Sequence, residues 1–277
     1  MQDKLLALTS EVETTSPLRC GTFGAADAYT RHLATGDFNG QLQLWDTQRL
    51  ELPVSTVKAH ETIINMIDGC GGAVRPGGAH ELGTCSRDGS VKIWDTRQIS
   101  ESVFTIRPQD EENRHDAWSI AFGNFSNGSE RLIAVGHDNG DLRLFDLTAG
   151  KYVWKTNVGA GICSIDFTNE RQAVISTLKG VSVVQLTGDG SVAPIPIDVE
   201  TTMWAARHVP QDTNVFAVVA GDGQVRLWKH NDLKVPLLSA SVSKHPIISC
   251  DWNRDKKGLF ACCSFDQTIR ISFAQDI

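Results

Sequence analysis

A run of alternating apolar and polar residues recurs along the chain, each time directly after a short turn. Side chains in a β-strand point alternately to the two faces of the sheet, so a period of two predicts strands and excludes helical spacing. Five copies are clear: DFNGQLQLWD (residues 37–46), SRDGSVKIWD (86–95), HDNGDLRLFD (137–146), AGDGQVRLWK (220–229) and SFDQTIRIS (264–272). A sixth, degenerate copy is TLKGVSVVQL at residues 177–186.

The spacing between these copies predicts the architecture. The aromatic residue of the alternating run, or its replacement, recurs every 40 to 51 residues. A further apolar strand precedes each turn, and another follows the alternating run, as in PVSTVKAH (residues 53–60). A repeat of this length that contains four strands is typical of a blade of a β-propeller. We therefore predict an all-β chain with six visible four-stranded units in a single domain, residues 1–277.

The turns carry residues that favour tight hairpins. Asn39-Gly40, Asp88-Gly89, Asn139-Gly140 and Asp222-Gly223 occupy equivalent places in four of the copies. Asn-Gly and Asp-Gly pairs accept positive φ angles at low cost, and they are common in two-residue type I′ hairpins. We predict that turn type here.

These motifs resemble the WD-repeat superfamily, with His60, Asp88 and Trp94 of the second unit at its histidine, aspartate and tryptophan positions. From about Leu18 onward, the chain more narrowly resembles the Monad family of WD-repeat proteins. The segments that carry this resemblance are LRCGTFGA, LATGDFNG, CSRDGSVKIWDTRQ, AWSIAFGN, DNGDLRLFDL and CSFDQTIRI.

The Monad resemblance implies an adaptor in the cytoplasmic preassembly of axonemal dynein arms. It also implies dynein chains as partners, together with a co-chaperone complex of RuvB-like ATPases and a tetratricopeptide subunit. Relatives of this kind are expected to have seven blades, so the resemblance leaves open whether a first blade is missing. With six blades, we expect a strand at Lys4–Val12 to pair beside Ile269–Phe273, because an unpaired edge strand promotes aggregation.

Composition narrows the choice of partners and of compartment. The formal net charge is −7, which disfavours a broad nucleic-acid surface because phosphate contacts need clustered Lys and Arg. The segment MQDKLLALTS is too short and too polar for a signal sequence or a membrane span, so a cytoplasmic protein is expected. The seven cysteines lie mostly within apolar runs and indicate buried thiols rather than disulfides.

No residue pattern predicts catalysis, a cofactor or a metal. Asp88, Asp222 and Asp266 lie at hairpin turns, where a short acceptor satisfies backbone donors, and His60 is expected to join Asp88 and Trp94 in a structural hydrogen-bond network. The His115-Asp116 and His137-Asp138 pairs lack a nucleophile in a suitable setting. Cys262 and Cys263 are adjacent, so in a strand they point to opposite faces and cannot bind one zinc ion together.

The candidate binding surface lies at the turn end of the repeats. We predict that Phe38, Arg87, Trp118, Trp204 and Phe265 form one patch, because aromatic residues and Arg are the usual anchors of protein interfaces. Trp118 and Trp204 share a place with Arg19, Ile64, Cys163 and Ile248 in the other units, at the start of the first strand. Burial in the core is an open alternative for both tryptophans.

A second function belongs to another class of protein. Trp94-Asp95-Thr96-Arg97 matches the W-D-x-R pattern by which substrate receptors of cullin ubiquitin ligases bind their adaptor. The match is weak evidence, because Trp-Asp is intrinsic to the repeat. The acidic run QDEEN at residues 109–113 is interpreted as a solvated loop.

Overall fold

The structure, a computed structural model, describes residues 7–25, 32–70, 80–108, 114–123, 131–168, 172–185, 192–195, 200–275 and 277. These residues form 23 β-strands, and none of their secondary-structure elements is a helix that could cross a membrane. The all-β prediction is therefore confirmed. The chain divides into two compact units, residues 1–109 and residues 110–277, and the single domain expected across both stays a prediction.

The first unit contains two antiparallel four-stranded sheets in which chain neighbours pair. Sheet 1 consists of β1 (Leu18–Thr22), β2 (His32–Asp37), β3 (Gln41–Asp46) and β4 (Ser55–Lys58). Sheet 2 consists of β5 (Ile64–Cys70), β6 (Glu81–Ser86), β7 (Val91–Asp95) and β8 (Phe104–Ile106). Leu42 and Leu44 of β3 alternate with polar positions, as predicted, and they pack against Ile64 and Ile67 of β5.

The second unit contains four more antiparallel sheets with the same strand order. Sheet 3 consists of β9 (Ala117–Phe122), β10 (Leu132–His137), β11 (Asp141–Asp146) and β12 (Lys151–Asn157). Sheet 4 consists of β13 (Ile162–Phe167), β14 (Gln172–Thr177), β15 (Val181–Gln185) and β16 (Val192–Ile195). Sheet 5 consists of β17 (Met203–Val209), β18 (Asp212–Ala220), β19 (Gln224–Lys229) and β20 (Leu238–Ser241). Sheet 6 consists of β21 (Ile247–Trp252), β22 (Leu259–Ser264) and β23 (Thr268–Phe273).

Within the second unit, the first strand of a sheet packs on the third strand of the preceding sheet. Val225 and Leu227 of β19 lie in one core cluster with Ile247 of β21, and all three are nearly inaccessible to solvent. Leu142 and Leu144 of β11 pack with Ile162 of β13 in the same way. Burial of apolar surface between successive sheets therefore holds the repeats together, which is the usual organisation of repeat proteins.

The predicted hairpin type is wrong. In four sheets only the turn glycine has a positive φ (Gly40 at 75°, Gly89 at 76°, Gly140 at 87° and Gly223 at 74°), whereas a type I′ turn needs two such residues. The amide of Gly40 donates to the carbonyl of Asp37 at 3.3 Å, and the amide of Gly89 donates to that of Ser86 at 3.0 Å. These loops therefore have the form of a type I turn followed by one left-handed residue.

The strand expected at Lys4–Val12 is also not observed. Lys4–Leu6 lie outside the described residues, and Ala7–Val12 are not in a strand. Sheet 6 has three strands in the described part of the chain. The acidic run at residues 109–113 lies outside the described residues as well.

Candidate functional site

A β-bulge occurs at the same place in all six sheets. In every first strand the pairing with the second strand skips one residue directly after the first paired position. The skipped residues are Arg19, Asn65, Trp118, Cys163, Trp204 and Ile248. A bulge residue is left out of the pairing ladder, and its side chain is redirected relative to its neighbours, which is why bulges often lie beside functional sites.

The hairpin turn between the second and third strands lies at the same end of each sheet as the bulge. One turn residue in each sheet donates its backbone N–H to the carbonyl two residues before the bulge, at 2.8 to 3.2 Å. These donors are Phe38, Arg87, Asp138, Leu178, Gly221 and Phe265. The sequence-predicted residues at the turn and at the first strand therefore meet within each sheet, at an end that we call the bulge rim.

One predicted residue of the bulge series requires correction. Ile64 does not occupy the bulge position of sheet 2, because it is the paired residue before the bulge and is fully buried in the core. Asn65 occupies the position instead. The error arises because the bulge shifts the strand by one residue, so that counting from the apolar residues alone gives the wrong side chain.

Two aromatic residues meet at the bulge rim of the second unit. Trp204 at the bulge of sheet 5 lies against Phe265 at the turn of sheet 6, with ring centroids 6.4 Å apart and an interplanar angle of 60°. Phe265 is 58% exposed and Trp204 is partly exposed. A partly exposed pair of aromatic rings at the ends of hydrogen-bonded strands is suited to bind an apolar side chain of another protein.

A second apolar site on this rim is built around Trp118 at the bulge of sheet 3. Gly161 lies directly beneath its ring, since a Cβ placed on this glycine would come within 2.7 Å of Trp118 Cζ3 and within 3.3 Å of Leu178 Cδ1. Leu178, at the turn of sheet 4, is 38% exposed, and Trp118 is partly exposed. Trp118 and Trp204 are therefore not fully buried core residues.

The first unit contributes the remaining predicted binding residues. Phe38 is 44% exposed at the turn of sheet 1, and Arg87 is exposed at the turn of sheet 2. Each is held by a backbone hydrogen bond of 3.2 Å to the start of its own sheet. That these two residues form one patch with Trp118, Trp204 and Phe265 stays a prediction.

The predicted structural residues of sheet 2 form a hydrogen-bonded chain. His60 Nδ1 lies 3.1 Å from Asp88 Oδ2, and His60 Nε2 lies 2.8 Å from Thr84 Oγ1. Thr84 Oγ1 also accepts the indole N–H of Trp94 at 3.0 Å. Thr84, which the sequence reasoning missed, therefore connects the histidine to the tryptophan.

Electrostatics fix the protonation states in this chain of hydrogen bonds. Burial lowers the pKa of His60 below its ordinary value, so the imidazole is neutral at physiological pH. Burial by itself raises the pKa of Asp88, but hydrogen bonds from His60 and Ser90 outweigh this and hold it well below the usual range. A neutral imidazole can donate from Nδ1 to the carboxylate and accept the Thr84 hydroxyl at Nε2, so every donor has an acceptor.

Asp222 and Asp266 at the turns of sheets 5 and 6 hold arginines rather than histidines. Arg226 Nη2 donates to Asp222 Oδ2 at 2.5 Å, and Arg270 Nη2 donates to Asp266 Oδ2 at the same distance. Asp222 also accepts the backbone N–H of Gln224 at 3.1 Å. Both carboxylates are used in these turn and strand contacts, and Asp266 Oδ2 also accepts the Ser243 hydroxyl at 3.4 Å.

A second polar cluster, which was not predicted, links sheets 4 and 5. Asp166 Oδ2 lies 2.6 Å from His208 Nδ1, and His208 Nε2 lies 2.9 Å from His230 Nε2. The two imidazole rings are stacked, with centroids 5.2 Å apart. Asp166 also accepts the backbone N–H of His208 at 2.7 Å, so this carboxylate fixes one sheet to the next.

The described residues contain no group of three or more His, Cys, Asp or Glu side chains placed to hold a metal ion. At one end of each sheet, the structure places the bulge of the first strand beside a turn residue, and the residues at these positions include aromatic and charged side chains. The sequence profile "WD domain, G-beta repeat" matches residues 51–95 and 237–271. The six sheets are accordingly blades of a WD-repeat β-propeller fold, as predicted.

Curated relatives specify the family. Dynein axonemal assembly factor 10 of Homo sapiens is 39% identical over 293 residues, which cover 96% of this chain and 82% of that protein. The chain belongs to the dynein axonemal assembly factor 10 family. The Chlamydomonas reinhardtii protein of that name is 38% identical over 96% of this chain and 82% of its own length.

A more distant relative of the dynein axonemal assembly factor 10 family still aligns over nearly the whole chain. The Dictyostelium discoideum protein is 30% identical, covering 97% of this chain and 79% of that protein. The narrower family resemblance predicted from the sequence motifs is thereby confirmed. Membership in this family and the WD-repeat fold together point to a scaffold without catalytic activity.

Proposed function

We propose that the chain is a non-enzymatic adaptor that holds proteins together during the assembly of axonemal dynein arms. The observation that carries this proposal is the bulge rim, where the same backbone geometry presents one bulge residue and one turn residue in each of six sheets. Family membership supports the link to dynein assembly, because the relatives carry that name.

The partners in this proposal are dynein chains and a co-chaperone complex of RuvB-like ATPases with a tetratricopeptide subunit. Assembly of this kind takes place in the cytoplasm, so we place the chain there. The net charge of −7 supports protein partners over nucleic acid. No cofactor is required for such an adaptor.

Trp204 and Phe265 are the anchors that we assign to the second unit. The exposed ring of Phe265 and the partly exposed ring of Trp204 are in contact and present apolar surface that a partner can cover, and such anchors contribute a large share of binding energy in known interfaces. Truncating either side chain should weaken partner binding by about 2 kcal/mol. Phe265 is the cleaner test because it is 58% exposed and contributes little to the core.

The experiment is affinity capture from ciliated cells, followed by mass spectrometry, with the Phe265→Ala protein beside the unmodified chain. We expect loss of dynein chains and RuvB-like ATPases with an unchanged melting temperature. Val153→Ala is the matched control, because Val153 is 46% exposed on the outer strand β12 and away from the rim. If the folded double variant Phe38→Ala, Phe265→Ala retains every partner, the binding surface lies elsewhere.

The cullin-receptor alternative depends on Arg97. Its guanidinium forms two hydrogen bonds with Asp95, Nε to Oδ1 at 2.9 Å and Nη2 to Oδ2 at 2.6 Å, within the same turn. Trp94 of the motif is 2% exposed and is therefore unable to contact an adaptor. We expect Arg97→Ala to leave the captured partners unchanged, and loss of a cullin adaptor on this substitution would support the alternative instead.

A further inference from the structure

Sheet 4 has a lysine at the turn position where the other five sheets have Asn or Asp. Lys179 takes the place held elsewhere by Asn39, Asp88, Asn139, Asp222 and Asp266. In four of those turns, the Asn or Asp side chain accepts the backbone N–H two residues later, at 2.8 to 3.2 Å. In sheet 4, Thr177 Oγ1 accepts the backbone N–H of Lys179 at 3.2 Å instead. The side chain of Lys179 is therefore not needed to close its turn, and it is exposed.

The bulge residues of sheets 3, 4 and 5 lie side by side at this end of the second unit. Ser119 Oγ donates to the carbonyl of Ile162 at 3.1 Å, and Ser164 Oγ accepts the backbone N–H of Ala206 at 2.9 Å, so the three first strands are neighbours. The bulge residues just before these contacts are Trp118, Cys163 and Trp204, which we call the bulge row. All three are partly exposed, and the small Cys163 separates the two tryptophans.

One end of the bulge row combines an apolar site with a lysine. Trp118 and Leu178 both lie over Gly161, as described above, and Leu178 is 38% exposed. Lys179 directly follows Leu178 in the turn. The Lys179 ammonium has no ion-pair partner in the part of the chain that the structure describes.

The other end of the bulge row has the same combination. Trp204 contacts Phe265, and the backbone N–H of Phe265 donates to the carbonyl of Pro246 at 3.0 Å. This hydrogen bond holds the loop of Lys244 and His245 beside the aromatic pair. Lys244 is exposed, and the described residues likewise supply no ion-pair partner for it.

The turn carboxylates next to the bulge row already have local partners. Asp222 and Asp266 each bind an arginine of their own sheet. Asp138, at the turn of sheet 3, lies with Oδ1 3.1 Å from His115 Nδ1. Two lysines are thus left with charge that is not matched locally, and each lies beside an apolar site.

We propose that the bulge row binds an extended, acidic segment of another protein. Two apolar side chains of the segment cover Trp118 and Trp204, and Asp or Glu residues next to them pair with Lys179 and Lys244. Aromatic anchors supply affinity in such an interface, and complementary charge selects an acidic segment over a basic one. This inference rests on the proposed adaptor function, since it gives the chemistry of a segment that the rim would hold.

The first test is selection from a display library of random peptides of about 12 residues, which span about 40 Å when extended. The whole unmodified chain is the bait. We expect the selected peptides to be enriched in Asp and Glu and to carry at least two apolar residues. The Phe265→Ala protein, used as a parallel bait, should lose these peptides. Enrichment in Lys and Arg, or a selection that yields no binder, would overturn the proposal.

Charge reversal on the row is the second test. Lys179→Asp introduces the residue that sheets 2, 5 and 6 have at this position, so the turn should still fold. Fluorescence polarisation with a labelled selected peptide should show a dissociation constant about 10-fold higher for this variant and for Lys244→Asp. Lys151→Asp is the matched control, because Lys151 is exposed at the opposite end of sheet 3 and the net charge changes equally. Thermal melts will show that the variants fold.

A variant of opposite sign sharpens this test. Glu200 is exposed two residues before Thr202, whose carbonyl accepts the backbone N–H of Gly221 at the turn of sheet 5, at 2.8 Å. Glu200→Gln removes a negative charge near the row and should lower the dissociation constant of the same peptide by about 2-fold. Weaker binding by this variant would contradict an acidic partner.

Failure of the acidic partner and failure of the adaptor function give different results. If peptide binding depends on Phe265 but does not respond to the charges at positions 179 and 244, the rim remains a binding surface and the acidic segment is excluded. If acidic peptides bind the Phe265→Ala protein equally well, they bind away from the row. If acidic peptides behave as expected but affinity capture yields no dynein chains, the adaptor function alone is contradicted.

Discussion

Sheets 2 and 5 each bury a tryptophan at the same position, but the indole N–H groups of the two tryptophans differ in their hydrogen bonding. Trp94 is 2% exposed and donates its indole N–H to Thr84, whereas Trp228 is 1% exposed and its Nε1 has no hydrogen-bond partner among the described residues. The position of Thr84 is taken in sheet 5 by Val218, which pairs with Arg226 as Thr84 pairs with Lys92. The polar chain is therefore dispensable to the sheet.

Aromatic packing explains why sheet 5 can bury Trp228 without the hydrogen bond that Trp94 makes in sheet 2. Trp228 stacks on Phe216 with ring centroids 6.2 Å apart and an interplanar angle of 16°. Both rings belong to a cluster of ten buried apolar residues between sheets 4 and 5. Burial of apolar surface specifies the repeat, and the hydrogen-bonded chain of sheet 2 adds stability to one sheet without defining its fold.

The largest expected effect is that of Asp88→Ala. Asp88 accepts hydrogen bonds from His60, from the backbone and hydroxyl of Ser90, and from the backbone of Glu61. Removing this carboxylate leaves buried donors unpaired and should lower the free energy of unfolding by about 3 kcal/mol. Urea denaturation measures it, and Asp222→Ala in sheet 5 is the comparison. Equal losses in both variants would contradict a special role for the chain of sheet 2.

A smaller loss is expected for Thr84→Val, about 2 kcal/mol, because both His60 and Trp94 lose a partner. Thr35→Val in sheet 1 is the matched change, since Thr35 Oγ1 accepts the Trp45 indole N–H at 2.8 Å and has no second side-chain partner among the described residues. That variant should lose about 1 kcal/mol. A loss for Thr84→Val no greater than that for Thr35→Val would show that the histidine bond contributes nothing.

The reverse substitution should stabilise sheet 5. Val218→Thr places a hydroxyl ten residues before Trp228. Thr84 has the same separation from Trp94 and the same strand register. The nearly equal shapes of the two side chains let the hydroxyl accept the indole N–H, with an expected gain of about 1 kcal/mol. Val219→Thr, one residue along the same buried strand, is the control and should destabilise the protein. A loss in both variants would indicate that the introduced hydroxyl does not reach the indole.

The smallest effect concerns pH. His60 of sheet 2 has a carboxylate partner. His230 of sheet 5 lies beside His208, and burial first and His208 second lower the pKa of His230 from 6.5 to about 4. The folded state then binds fewer protons than the unfolded state, so stability falls as the pH drops from 6.5 to about 4. His230→Gln should make that fall shallower in melts between about pH 7 and about pH 4.5. His230 is partly exposed, so solvent weakens the effect, and an unchanged slope would contradict it.

The sheets could be predicted from the sequence, because their apolar faces repeat with a period of two and four of the repeats have a glycine at the left-handed turn position. Turn type could not, since Asn-Gly and Asp-Gly suit both a two-residue hairpin and a three-residue loop with one left-handed glycine. The loop length that decides between them depends on where the strands stop pairing, and that is a property of the sheet.

The structure confirms that a turn residue and a first-strand residue lie at the same end of each sheet, but the first-strand residue named for sheet 2 was wrong. Phe38 and Phe265 follow directly from the turn motif, and their exposure needs no tertiary information. The prediction named Ile64 where the structure has Asn65, because a hydrophobic pattern does not reveal the position of a β-bulge. Thr84 and Asp166 were missed for another reason. Thr84 binds Trp94, which is 10 positions away, and Asp166 binds His208, which is 42 positions away. A single sequence does not show which distant residues the fold brings together.

The repeated bulge has an evolutionary consequence. The first strand of every sheet contains one position that is outside the pairing ladder and lies directly beside a paired residue. The six occupants, Arg19, Asn65, Trp118, Cys163, Trp204 and Ile248, include an aromatic, a cation, an amide, a thiol and an aliphatic side chain. After a repeat is duplicated, this position can diverge by point mutation without repacking the blade, so new binding specificity can arise one residue at a time.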